Sequence, residues 1–255
     1  MVTSLLILAV ASALGADAAQ TPSGAPADPG HLFVEANNRY DAGDYAGAAQ
    51  LFDELVKRGL GSGHVDYNLG NSQLRAGRIG RAIAAYLAAK AELPRDSDVR
   101  ANLEFARKLT KDALTPPGPN PVVHTLFFWH YSVSAHELGW LLVLLNLAFW
   151  TALALLSWRR ESEVLRWTVV ALLLLVIAVG TSVAVRTVSP NRLAVILERE
   201  VDVHSGTHAD TVVRFKLHEG TEAMVTDREP GWVRIELADD KQGWVEANEV
   251  AVVEW

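Results

Sequence analysis

His136-Glu137 opens as the zinc-protease pattern His-Glu-x-x-His opens, but Trp140 stands where the second histidine is needed. Two histidines one helical turn apart present two imidazoles to one metal ion, so the pattern fails at a ligand. His204 and His208 are also four apart, in a stretch that reads as a loop, where that spacing does not set them on one face. The chain has no cysteine. Thiol catalysis, disulfides, Cys-based metal sites and a lipidated cysteine anchor are thereby excluded. No nucleophile elbow, phosphate-binding loop or dinucleotide fingerprint is present. A serine–histidine–aspartate set would have to be assembled by the fold, since such sets are not adjacent in sequence. The expectation is a non-enzyme with no catalytic residue, metal or cofactor, whose chemistry is recognition.

Recognition needs polar and aromatic groups held at regular spacing, and residues 31–96 carry an internal repeat that does this. With a shift of 34, Asn37 falls on Asn71, Gly43 on Gly77, Ala48 on Ala82 and Phe52 on Tyr86. Each copy reads as helix, glycine turn, helix. Small residues at Gly70 and Ala82 let the two helices approach, Tyr86 fills the space beside them, and Pro94 stops the second helix. The second copy, Tyr67-Asn68-Leu69-Gly70-Asn71 through Gly77, Ala82, Tyr86 and Ala89 to Pro94, resembles the tetratricopeptide repeat, and the first resembles it more loosely. Asn102-Leu103 lies 34 residues after Asn68-Leu69, so a fifth helix, capped by Asp96 or Ser97, is half of a third repeat and caps the stack. The resemblance implies a concave peptide-binding groove lined by Phe33, Asn37, Tyr40, Tyr67, Asn71, Leu74 and Arg75. Phe33 and Tyr67 stand where some family members place lysines that grip a terminal carboxylate, so that clamp is not expected.

Two apolar stretches, Leu138–Trp158 and Trp167–Val185, lack any charge. At about 1.5 Å per residue, roughly 20 residues of helix cover the hydrocarbon thickness of a bilayer. Arg159, Arg160 and Arg166 in the connecting loop, 159–166, favour its cytoplasmic side. Both soluble arms then face the periplasm from the inner membrane. Asn146, the strongly polar residue inside the first span, reads as a hydrogen-bonding group toward the other span or a partner helix.

Residues 1–19 read as a signal peptide, with an apolar run Leu5–Leu14 and the A-x-A pattern Ala16-Asp17-Ala18. Gln20–Gly30 is a flexible lead-in, and residues 31–114 hold the repeats and their capping helix. Residues 115–137 combine a Pro-rich linker (Thr115–Pro121) with an interfacial segment carrying Phe127, Phe128, Trp129 and Tyr131.

From residue 190 onward the period changes. Short apolar runs between turn residues predict a small all-β barrel with strands near 194–197, 201–204, 212–217, 222–226, 232–236 and 241–245. The strings Phe215-Lys216-Leu217-His218-Glu219-Gly220-Thr221, Gly231-Trp232-Val233-Arg234-Ile235 and Gly243-Trp244-Val245 resemble a bacterial SH3 domain. That resemblance implies a binding surface around His204, Trp232 and Trp244, for protein or for peptidoglycan. His204 and Thr207 depart from the arginine and proline common there, which weakens the cell-wall expectation.

The formal net charge is −7, and residues 190–255 carry all of it, with seven basic against fourteen acidic side chains. An acidic arm disfavours nucleic acid. The order of parts resembles the BatE family of bacterial aerotolerance operons. The fold expected is multidomain: an α-helical tetratricopeptide-type solenoid, a two-helix transmembrane hairpin (138–158 and 167–185), and a small all-β SH3-like barrel (190–255). The resemblance implies an envelope-stress scaffold whose partners are von Willebrand factor A-domain membrane proteins and, indirectly, a MoxR-type AAA+ ATPase. The alternative expectation is an accessory protein that positions a peptidoglycan enzyme through the SH3-like domain.

Overall fold

The computed structural model describes residues 28–112, 121–188, 190, 192–208 and 211–254. The expected signal at 1–19, most of the lead-in and nearly all of the Pro-rich linker lie outside the described residues.

The helical arm opens with α1 (Pro29–Asp41) and α2 (Tyr45–Leu55), the latter continued by a π-helical turn at Val56–Leu60. It goes on through α3 (Gly63–Arg75), α4 (Ile79–Glu92) and α5 (Ser97–Lys108). Starts are set locally. Asp28, Asp44 and Ser62 accept backbone N–H groups in the first turns of α1, α2 and α3, and Asp96 accepts those of Asp98 and Val99 at α5. Gly43 and Gly77 make the turns inside each repeat at φ +84° and +77°, where a side chain would be strained. A Cβ on Gly70 would stand 2.6 Å from the Tyr86 ring, which is the close approach expected of the repeat. One core runs through α1, α2 and α3 with Ala36, Ala48, Phe52, Leu55 and Leu69.

Two short helices, α6 (Pro121–Leu126) and α7 (Phe128–Ser132), lead into α8 (Ala135–Trp158) and α9 (Glu163–Val188). The last two are long and apolar enough to cross a membrane, and only 11% and 17% of their most apolar windows are buried within the protein. Both overrun the expected spans. A Ser134–Glu137 capping box starts α8 before Leu138. Arg166 lies within α9, so the connection shortens to residues 159–162. The aromatic segment is clamped to the far end of α9: Trp129 Nε1 donates to Ser182 Oγ at 3.1 Å, and Arg186 donates to the carbonyls of His130 and Val133.

The chain then forms β1 (Arg192–Ile196), β2 (Glu200–His204), β3 (Val213–His218), β4 (Glu222–Glu229), β5 (Trp232–Glu236), β6 (Gln242–Glu246) and β7 (Val250–Glu254). All pair antiparallel in the order β3-β2-β6-β5-β4-β1-β7. Six strands answer to the six expected, and β7 was not anticipated. The expected barrel is corrected to an open sheet: β3 and β7 are its two edges, and hydrogen bonding does not close it. The sheet still wraps one core, with Ala194, Val201, Val203, Leu217, Ile235 and Val245 inside.

Strand β1 is buried on both faces. Ala194 and Ile196 enter the sheet core, while Leu193 and Val195 enter a second core with Ala82, Ile83, Tyr86 and Leu87 of α4 and Leu103 and Ala106 of α5. Val253 joins them from β7. Successive strand residues point to opposite faces, so one strand serves two cores, and its apolar run is continuous for that reason. The sheet therefore covers the flank of α4 and α5, where the second helix of a third repeat would otherwise pack. The cap expected of α5 alone is made by α5 and β1–β7 together.

Candidate functional site

The helical and β units meet along one turn. His218-Glu219-Gly220-Thr221-Glu222, joining β3 to β4, meets α4, α5 or the short segment that follows α5 at every residue. The Glu222 carboxylate accepts Arg107 Nε at 2.6 Å and Nη2 at 2.7 Å. Glu222 is 1% exposed and Arg107 27%. The paired geometry offsets the desolvation of both charges. Thr221 Oγ1 donates to Asp112 Oδ2 at 2.9 Å, and the His218 backbone N–H donates to the same carboxylate at 2.8 Å. The His218 ring lies 3.0 Å from Asp112 Oδ1, with Lys111 Nζ 2.7 Å from its other nitrogen. Partial burial of Asp112 pushes its carboxyl up, but these donors outweigh it and hold the carboxyl below the usual range.

Glu219 does different work. Helix α4 begins after Arg78, whose side chain caps nothing. Glu219 Oε1 accepts the Gly80 N–H at 3.0 Å, across 139 residues of sequence. An anionic acceptor at a helix start satisfies an orphan donor and complements the helix dipole. Gly80 itself permits the contact, because a Cβ there would sit 2.2 Å from the Ile196 carbonyl oxygen. In the sequence these five residues carry no mark of binding the helices. Their one visible signal was the turn string Leu217-His218-Glu219-Gly220-Thr221 itself.

The groove residues expected on α1 and α3 fall into two groups. Phe33 packs edge-on to Phe52, and Asn37 donates to the Phe33 carbonyl of its own helix at 2.9 Å. Tyr40 meets Tyr45 edge-on, and Arg75 donates to the Tyr45 hydroxyl at 2.6 Å while its guanidinium lies 4.7 Å from that ring's centre. The second group centres on Asn71. Its Oδ1 accepts from the Tyr86 hydroxyl at 2.8 Å and from Asn102 Nδ2 at 2.9 Å, and Asn102 also reaches Tyr67 Oη at 3.1 Å. Burial pushes the Tyr86 phenol well up, so it stays a donor. Leu74 packs on the core shared with the sheet. The repeat sets Tyr45 at the position of Ile79, outside the expected groove, and Asn102 at that of Asn68, whereas the fold brings Tyr45 to Arg75 and joins Asn102 to Asn71. Arg75 and Asn71 are thus fixed in position by neighbouring helices, and Asn37 by its own.

On the sheet, His204, Trp232 and Trp244 come together on the face turned away from Val233, Ile235 and Val245. The His204 and Trp232 rings meet edge-on at 5.4 Å, and His204 pairs with Trp244 across β2–β6. All three are half-buried.

A tetratricopeptide-repeat family model matches residues 33–97. No curated protein and no solved structure matches the chain. Residues 33–97 are thus similar to a repeat that suggests protein–protein interaction, and the helix–turn–helix pairs seen there fit it.

Proposed function

We propose that this protein is a membrane-anchored, non-enzymatic scaffold for protein partners, with both soluble arms in the periplasm and α8–α9 as its anchor. One observation carries the reading: two long apolar helices stay largely uncovered by protein, while the arms on either side of them fold into a single body that includes tetratricopeptide repeats. Apolar helices left bare need hydrocarbon around them. Two crossings return the chain to the side it left, which agrees with a core shared by both arms. The arginines at the short connection favour the cytoplasm for that end. A rigid body loses little freedom when it binds, so a groove and a sheet face held in fixed relation favour a partner that spans both.

By its resemblance to the BatE family, the scaffold serves an envelope-stress or aerotolerance complex. Its partners are then von Willebrand factor A-domain membrane proteins, with a MoxR-type ATPase linked through them. Affinity capture of detergent-solubilised full-length chain tests this. Recovery of a von Willebrand factor A-domain protein is expected; recovery of no envelope protein would overturn the reading. A periplasmic signal from a reporter placed at 159–162 would overturn the topology alone. Co-sedimentation of the chain with peptidoglycan would shift the reading to a cell-wall accessory.

A further inference from the structure

Asn146 lies at the middle of α8, eleven residues from its start and twelve from its end. Its side chain is exposed, and among the described residues nothing hydrogen-bonds to it. The later hydroxyls of α8 are satisfied on their own helix: Thr151 donates to the Leu147 carbonyl and Ser157 to the Ala154 carbonyl. If α8 spans the membrane, as proposed above, the Asn146 carboxamide sits at the bilayer centre. A bare amide there costs several kcal/mol by transfer to hydrocarbon, so a partner is required.

The face on which it lies is open. Helix α9 packs against α8 with Gly180 beside Leu142, on the side where Ala152 is buried. The soluble body reaches α8 through α4 and through Arg95, which contacts Glu137 and the Ser132 carbonyl. Glu137 precedes Asn146 by nine residues, which at about 100° each is half a turn around the helix. The Arg95 contact therefore lies on the opposite side of α8 from Asn146. Along the open face, Gly139, Val143, Asn146, Trp150, Leu153 and Ser157 recur at alternating spacings of four and three, the seam of a left-handed helix pair. A Cβ on Gly139 would meet nothing within 4 Å, so that end of the seam is unobstructed.

We propose that this seam is the interface of a parallel homodimer, in which the Asn146 carboxamides of two copies hydrogen-bond to each other. A carboxamide both donates and accepts, so it is its own complement. Copies inserted in one orientation are parallel, and a two-fold axis along the membrane normal brings each seam residue to its counterpart. A second copy satisfies Asn146 with no other residue needed.

The natural chain has no cysteine, so oxidative crosslinking of single-cysteine variants in native membranes tests the proposal directly. Val143→Cys and Ser157→Cys on the seam are expected to form disulfide dimers of twice the chain mass. Leu144→Cys, on the opposite face, is expected to remain monomeric. Adding Asn146→Leu to Val143→Cys should weaken dimerisation by about threefold to thirtyfold, the range for an interhelical hydrogen bond. Carbonate extraction is run in parallel. Release from the membrane overturns the anchor and the dimer together. Retention with no Val143→Cys or Ser157→Cys dimer, equal crosslinking at Leu144→Cys, adducts of another mass, or indifference to Asn146→Leu overturns the dimer alone.

Discussion

Arg107 on α5 and Glu222 at the start of β4 form a two-point ion pair at 2.6 and 2.7 Å, with Glu222 almost wholly withdrawn from solvent. The pair locks repeat to sheet, and the guanidinium offsets the cost of burying the carboxylate. Arg107→Ala leaves a buried carboxylate uncompensated and should cost about 3–5 kcal/mol of stability. Arg107→Met with Glu222→Leu should recover most of that loss. Denaturant titration followed by tryptophan fluorescence in detergent gives both values, and a double variant as unstable as Arg107→Ala would show that the pair is not what fails.

Gly80 and Gly77 separate two reasons for glycine. Gly80→Ala drives a methyl to 2.2 Å from the Ile196 carbonyl oxygen and must push β1 off α4. Gly77→Ala meets nothing within 4 Å and bears only its positive φ, a cost of about 1–2 kcal/mol. Limited proteolysis should therefore cut Gly80→Ala between the helical and β units, while Gly77→Ala stays joined there.

Glu219 is the start signal for α4, supplied from the sheet. Glu219→Ala should destabilise by about 1 kcal/mol, the typical loss for removing a helix cap. Glu219→Gln keeps an acceptor and should lose less. Hydrogen exchange at Gly80 and Arg81 reports it: faster exchange in Glu219→Ala than in Glu219→Gln is expected, and equal rates would count against the cap.

Asp66 gives the protein a pH dependence of definite sign. Burial, and secondarily the charge of Glu92, push its carboxyl up from 3.8 to about 6. The folded state thus holds this proton more tightly than the unfolded chain does. Its contribution is fully present below about pH 4 and is lost as pH rises through about 6. Asp66→Asn should remove that slope and raise stability at pH 7 by about 2 kcal/mol. Thermal melts of both forms from pH 4 to pH 7 check it, and parallel curves would refute it.

Much of the secondary structure was legible because its causes are local. The 34-residue repeat, the glycine turns and Asp96 as a cap follow from residues a few positions apart. So do six of the seven strands among the described residues. The two apolar helices needed only length and the absence of charge. The candidate surfaces were legible less evenly. His204, Trp232 and Trp244 do meet, because strand alternation puts all three on one face. The groove positions followed the repeat, but nothing in the repeat shows that Tyr45 and Asn102 hold Arg75 and Asn71 in place.

What the sequence determined by itself was the kind and order of the parts, since hydrophobic period, turn residues and charge act over short range. Tertiary structure alone decided that the parts form one body. Leu193 and Val195 look like ordinary strand residues until α4 and α5 cover them. Glu219 and Glu222 look like surface acids until Gly80 and Arg107, more than a hundred residues earlier, arrive beside them. No local pattern encodes such a meeting, because its free energy comes from surfaces buried and charges paired only once both ends of the chain have folded.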